Sequence, residues 1–195
     1  MAVTLYEKAL AAIDRAHEDD PTLVDIDNRM VPYELHYAQK STYYLDKHAP
    51  DASDVLRLAV RAQHFRRWEV PRNTYPMTKA GYYAWRTGLK KRQAEQTAEI
   101  CIQSGFSSDD ASRVASLIRK ENIKSDDETQ ILEDVACLVF LDDQFEQFEK
   151  EHDEPKIVNI LRKTWVKMSE RGHQLALEIS MSKNAKLLVS KALAA

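Results

Sequence analysis

His64 lies in the stretch of this chain whose residue types are best suited to chemistry. Around it, the run Arg61–Pro76 carries Arg61, Arg66, Arg67 and Arg72, interleaved with Phe65, Trp68 and Tyr75 and broken by Pro71 and Pro76. Guanidinium forks match phosphate oxygens bidentately, and aromatic faces stack on a base or on another guanidinium. Arg67 and Arg72 are therefore expected to clamp a phosphate, with Arg61 and Lys120 adding charge and Trp68 or Tyr75 stacking on the rest of the ligand. On a helical wheel His64 falls at the edge of an apolar stripe made by Leu56, Ala59, Val60 and Gln63, beside Arg57 and Arg61. Half-burial and neighbouring cations both oppose protonation, so the imidazole is expected to stay neutral and to serve as general base or hydrogen-bond donor. The competing reading is a buried histidine bonded to a backbone carbonyl, with the arginines favouring a helix C-terminus.

Asp134 is the second residue expected in a catalytic role. It shares a helix face with Leu138, Leu141 and Phe145, so its carboxylate points toward packed surroundings and needs a partner. Arg119, Lys120 or the arginines near His64 are the expected partners. The carboxylate would orient His64 or an arginine, or form a structural ion pair.

Charge is segregated along the 195 residues. Between Arg57 and Arg92 stand ten Arg or Lys residues against Glu69 alone, a net of +9 in a chain of net charge −3. From Asp126 to Glu154 twelve acids face only Lys150. Crowded like charge repels itself, so the basic block calls for an anion or an acidic partner. The acids gather at helix starts and on a solvated face, or lie against the basic block.

Other chemistries find little support. The six histidines (His17, His36, His48, His64, His152 and His173) fall in no close ligand spacing, so the cofactor is left open: a divalent metal is possible but not supported by the spacing. There is no His-Glu-x-x-His, no Cys-x-x-Cys and no glycine-rich phosphate loop. No spacing supports a Ser–His–Asp triad. Cys101 and Cys137 stand among apolar neighbours, as two buried thiols in a reducing compartment would. The longest apolar run, Val135–Leu141, is seven residues, against roughly 20 for a membrane span. With no cationic leader at the N-terminus, a cytoplasmic location and no membrane partner are expected.

These residues are carried by segments that read almost throughout at helical period. A single all-α domain over residues 1–195 is expected: an N-terminal helix over 1–20, a core over 32–151 and C-terminal helices over 155–195. Within it, helices are expected from Pro32 to about His48, Pro50 to about Trp68, about Lys79 to Gln103, Ser107 or Ser108 to about Glu121 and Ser125 to Glu151. The stretch between Asp20 and Pro32 reads as a loop, with no convincing strand anywhere. Residues 69–78 hold two prolines and form a connection longer than usual.

Two resemblances add to this reading. The combination of Gln63-His64-Phe65-Arg66-Arg67-Trp68 with Leu132-Glu133-Asp134-Val135-Ala136-Cys137-Leu138-Val139-Phe140-Leu141 resembles the DUF4202 family of domains of unknown function, over nearly the whole chain. That resemblance implies no established activity, although some fungal and bacterial members carry a glutamyl-tRNA synthetase label. The run Lys167-Met168-Ser169-Glu170-Arg171 is similar to the KMSKS-type loop of class I synthetases. Its partner HIGH-type signature is absent and the chain has no room for the two domains such an enzyme needs. A more distant resemblance, over roughly 32–148, is to the HD metal-dependent phosphohydrolases, a helical superfamily. It implies an HD-like core with His64 in the His-Asp slot and Asp134 in the final aspartate slot. Phe65 replaces the aspartate of the pair and Tyr37 stands at the first-histidine position, with His36 and Glu34 nearby but facing differently, which implies a non-standard or lost metal site.

The expected function is a phosphate- or nucleotide-binding domain whose partner is a phosphorylated small molecule. Any turnover would be phosphoester hydrolysis with His64 as base. The alternatives are a non-catalytic RNA-binding module and a protein-interaction module using the basic and acidic faces.

Overall fold

A computed structural model describes residues 2–194; Met1 and Ala195, the two ends of the expected domain, lie outside the described residues. The chain is all-α apart from one hairpin. Its ten α-helices among the described residues are α1 (Leu5–Glu18), α2 (Tyr33–His48), α3 (Asp54–Arg61), α4 (Lys79–Ser104), α5 (Ser108–Arg119), α6 (Asp127–Val139), α7 (Phe145–Glu151), α8 (Glu154–Lys167), α9 (Glu170–Leu177) and α10 (Lys183–Leu193). No described helix is long and apolar enough to cross a membrane.

Most helices begin where a short polar side chain caps the first turn. Thr4, Ser53, Thr78, Ser107, Asp126, Asp153, Ser169 and Ser182 each accept a backbone N–H of the helix that follows. α4 ends at Gly105, whose φ of 104° is the left-handed turn that reverses the chain into α5. α4 and α5 lie against each other as a hairpin, α2 packs on α6, α3 is held between α2 and α5, and α8 packs on α10. One continuous core joins them through Ile13, Tyr37, Leu45, Leu56, Leu117, Leu138 and Phe145. Both cysteines are reduced and buried within it, and burial pushes their thiols up to about 11 (Cys101) and about 12 (Cys137).

The structure departs from the sequence expectations at three places. Residues 23–32, expected as a loop, form an antiparallel hairpin, β1 (Leu23–Ile26) paired with β2 (Arg29–Pro32). Asp27 and Asn28 make its turn with φ of 52° and 64°, a conformation these side chains tolerate best after glycine.

The third helix stops at Arg61 rather than near Trp68. His17 Nε2 donates to the carbonyl of Arg61 at 3.0 Å, occupying the oxygen that the Phe65 N–H would use in a continuing helix. Phe65 N–H turns instead to Ala62, and two short 3₁₀ turns, Arg67–Glu69 and Arg72–Thr74, lead on to α4.

The helix expected from Ser125 to Glu151 is interrupted. A π-helical turn over Phe140–Gln144 separates α6 from α7 and brings Phe140 and Gln144 to the wall of a cavity.

Candidate anion site

The interception at Arg61 sets the geometry of His64. The backbone here adopts left-handed conformations at His64 (φ 64°) and Arg66 (φ 48°), both disfavoured for residues with a Cβ. The result lays the imidazole on the ring of Tyr37, with centroids 4.1 Å apart and planes 18° from parallel. Arg67 follows, its Nη1 3.0 Å from His64 Nε2 and its guanidinium over Trp85 at 4.8 Å. Arginine has only donors, so Nε2 must accept, and the neutral ring carries its proton on Nδ1. Burial, Arg67 and Arg86 together push the His64 pKa well below its ordinary value, which fits a neutral donor.

His64 and Arg67 stand where two cavities meet. The first, of about 490 Å³, is lined by Arg67 from the first 3₁₀ turn, by Lys120 at the end of α5, and by side chains of α4, α5, α6 and α8, among them Arg86, Lys90, Gln93 and Lys167. Glu133 is its only carboxylate among the described residues, so five cations leave a net charge of +4 on its walls. Lys120, left-handed at φ 58° where it ends α5, bonds Glu133, and Lys167 lies 3.6 Å from the same carboxylate. Burial raises the Glu133 pKa, but Lys120, with Lys167 and Lys90, outweighs it and holds the group below its ordinary value. No carboxylate pairs with Arg67, Arg86 or Lys90 among the described residues. Burial together with like charge lowers the pKa of Arg67 and of Lys90.

The second cavity is wider, about 910 Å³, and of a different character. It is lined by Trp68, Trp85, Phe140 and Phe148, with Asp20, Glu34, Asp143 and Glu151 on its walls. Much of that acid is already committed: Asp20 accepts the N–H groups of Thr22 and Glu34, Glu34 accepts the Trp68 N–H, and Asp143 meets His36 at 2.5 Å.

Of the residues singled out in sequence, the structure brings His64, Arg67 and Lys120 together in the first cavity, and His64, Arg67, Trp68 and Arg72 around the second. Arg61, Arg72 and Tyr75 have partners of their own within the chain. Arg61 is buried and bidentate to Asp14, with further bonds to Thr42 and the Ala38 carbonyl. Arg72, expected to clamp a phosphate, spends its guanidinium on the carbonyl oxygens of Tyr75, Pro76 and Thr78 and so staples the turn before α4. Tyr75 packs its hydroxyl against Gly88 of α4 and lines neither cavity.

Asp134 also lies elsewhere. It is fully buried and accepts from His48 Nε2 (2.8 Å), Gln130 Nε2 (2.9 Å) and the backbone N–H and hydroxyl of Ser169. Its partners are neither Arg119 nor Lys120, and the histidine it holds is His48, not His64. Ser169 caps α9 and Met168 is buried, so the KMSKS-like run is here a helix-to-helix junction.

Arg86, Lys90, Gln93 and Glu133 line the first cavity without having been singled out in sequence. A signal for two of them was present. Arg86 and Lys90 are like charges one helical turn apart, and no acid stands three or four residues from either.

The donor set bears on the metal that the HD resemblance implies. Among the described residues no three His, Cys, Asp or Glu side chains converge. Phe65 is buried in the core against His17 and offers no ligand atom. Walls with a net positive charge repel a divalent cation, so the residues present do not fit such a site.

A family model described as "Domain of unknown function (DUF4202)" matches residues 7–189. No curated protein and no solved structure matches the chain.

Proposed function

The chain belongs to the DUF4202 family of domains of unknown function, and we propose that it binds a phosphorylated small molecule in the cavity between His64 and Lys167. The observation that carries this reading is the excess of cations on a concave wall: Arg67, Arg86 and Lys90 face the cavity without carboxylate partners. Holding them together costs self-repulsion that a bound anion relieves, and partial burial strengthens each hydrogen bond to it. His64 contributes its Nδ1–H as a neutral donor. Phe140 and Gln144, brought inward by the π-helical turn, close the side toward the wider cavity.

Binding is better supported than hydrolysis. The His64 lone pair already accepts from Arg67, and an imidazole held far below its ordinary pKa is a weak base. Asp134 is engaged with His48 and has no geometry for orienting His64. A long RNA backbone is less well served, because much of the basic block is neutralised locally. Arg57 pairs with Asp46, Arg61 with Asp14, and Arg66 and Arg92 clasp Glu69 between them.

Titration calorimetry of the wild type and of Arg67→Ala with phosphate esters tests the reading. Binding in the wild type, lost or weakened at least about tenfold in the variant, is expected for one charged hydrogen-bonding group. Equal binding by both proteins, or by neither, would overturn it.

A further inference from the structure

The cavity donors are arranged in a row. Arg86, Lys90 and Gln93 lie on successive turns of α4, spaced by four and then three residues, so they share one face of the helix. At 1.5 Å per residue the row spans roughly 10 Å. A chain of phosphoryl groups lying along that length meets each side chain over its own turn of the helix. Like charges at adjacent turns are unfavourable on an isolated helix, so the pairing of Arg86 with Lys90 calls for an anion lying along both.

Gln93 supplies an independent sign of a missing acceptor. It is only 5 % exposed, and its side-chain amide nitrogen is buried without any partner among the described residues. A buried unpaired amide donor costs about 1–3 kcal/mol, and this one stands on the cavity wall beyond the last cation of the row. Arg67 lines both cavities, where the first meets the wider aromatic one.

The geometry points to a ligand carrying a chain of two or three phosphoryl groups, laid along α4 from Arg67 to Gln93, rather than a single phosphate. This rests on the phosphate-binding reading above and names the substrate class of the same site. The net charge of +4 on the walls matches a polyphosphate better than a monoester. Such a chain occurs both in inorganic polyphosphates and in nucleoside di- and triphosphates. The wider cavity, flanked by Trp68, Trp85 and Phe148, leaves room for the organic part of the second kind.

The test is calorimetric titration of the full chain with inorganic phosphate, pyrophosphate and triphosphate, then with a nucleoside mono-, di- and triphosphate. Affinity is expected to rise roughly tenfold with each added phosphoryl group, as one further charged hydrogen bond supplies. Gln93→Leu is expected to flatten that rise while leaving single-phosphate affinity within about twofold, and far-ultraviolet circular dichroism verifies its fold. Equal affinity for one, two and three phosphoryl groups overturns the inference and leaves phosphate binding standing. No binding of any of the six compounds overturns both. A nucleoside triphosphate binding more tightly than inorganic triphosphate assigns the aromatic cavity to the organic part, whereas equality of the two overturns that assignment.

Discussion

Asp134 meets four hydrogen-bond donors from three parts of the chain, whereas Arg67, with five N–H groups of its own, meets one imidazole nitrogen. Both belong to clusters that pair a histidine with a charged residue in the interior. In the first, burial alone would raise the carboxyl pKa, but the donors of His48 and Ser169 outweigh it and hold the group below its ordinary range. In the second, burial and like charge act in the same direction, lowering the pKa of both His64 and Arg67. The difference separates a structural junction from the proposed binding site. A charge whose partners are all supplied by the chain holds helices together, and one left without them is a place for something else.

The comparison breaks most sharply at Asp134. Asp134→Ala strands the buried donors of His48 and Ser169 and unties α9 from α6, and a loss of about 3–5 kcal/mol in chemical denaturation is expected. A loss below about 1 kcal/mol would remove the case for a structural junction. Gly172→Ala probes the same place from the other side. A Cβ there would stand 2.8–3.0 Å from the Asp134 carboxyl group, so about 1–3 kcal/mol of destabilisation is expected in the same assay.

The pH dependence of stability sharpens the contrast, because the two clusters lose stability in different windows. His64 has a folded pKa below its unfolded value of 6.5, so on acidification the unfolded chain takes up that proton first. Stability is therefore expected to decline as pH falls below about 6.5, and thermal melts of His64→Gln should lack that part of the decline. The folded Asp134 carboxyl also lies below its ordinary 3.8, so its contribution is present above that value and lost as pH falls through the folded pKa. The acid limb below about pH 4 should thus persist in His64→Gln and shrink when Asp134 is replaced.

At Arg67 the expected sign reverses. Arg67→Met removes a cation without a carboxylate partner and keeps an unbranched apolar chain over Trp85, so stability is expected to be unchanged or up to about 1 kcal/mol higher, while phosphate binding is lost. Destabilisation beyond about 2 kcal/mol would mark Arg67 as structural after all. The smallest effect belongs to Arg57→Ala, whose partner Asp46 is 53 % exposed on its side chain; denaturation should move by no more than about 1 kcal/mol.

The helical class of the fold was written in the periodicity, and the start of α5 in the serine and acids that open it, because capping is decided within one turn of chain; α3, expected from Pro50, begins instead at Asp54 behind its cap Ser53. The presence of excess positive charge near His64 was written there too. Which of those cations would be spent was not. Arg66 and Arg67 are neighbours in sequence, yet one closes on Glu69 and the other faces a cavity, because the left-handed backbone at Arg66 separates their directions. Arg72 looked like a phosphate ligand by type and became a staple, since three carbonyl oxygens of its own turn lie within its reach.

What the sequence determined by itself is local: helix periods, their caps, the apolar stripes and the surplus of guanidinium in one segment. The tertiary structure decided which acid meets which base. His17 from α1 ends α3 and so places His64, and α9 brings Ser169 to Asp134, residues far apart along the chain. A carboxylate or imidazole acts within a few ångströms, and only the packing of helices fixes what lies within that distance.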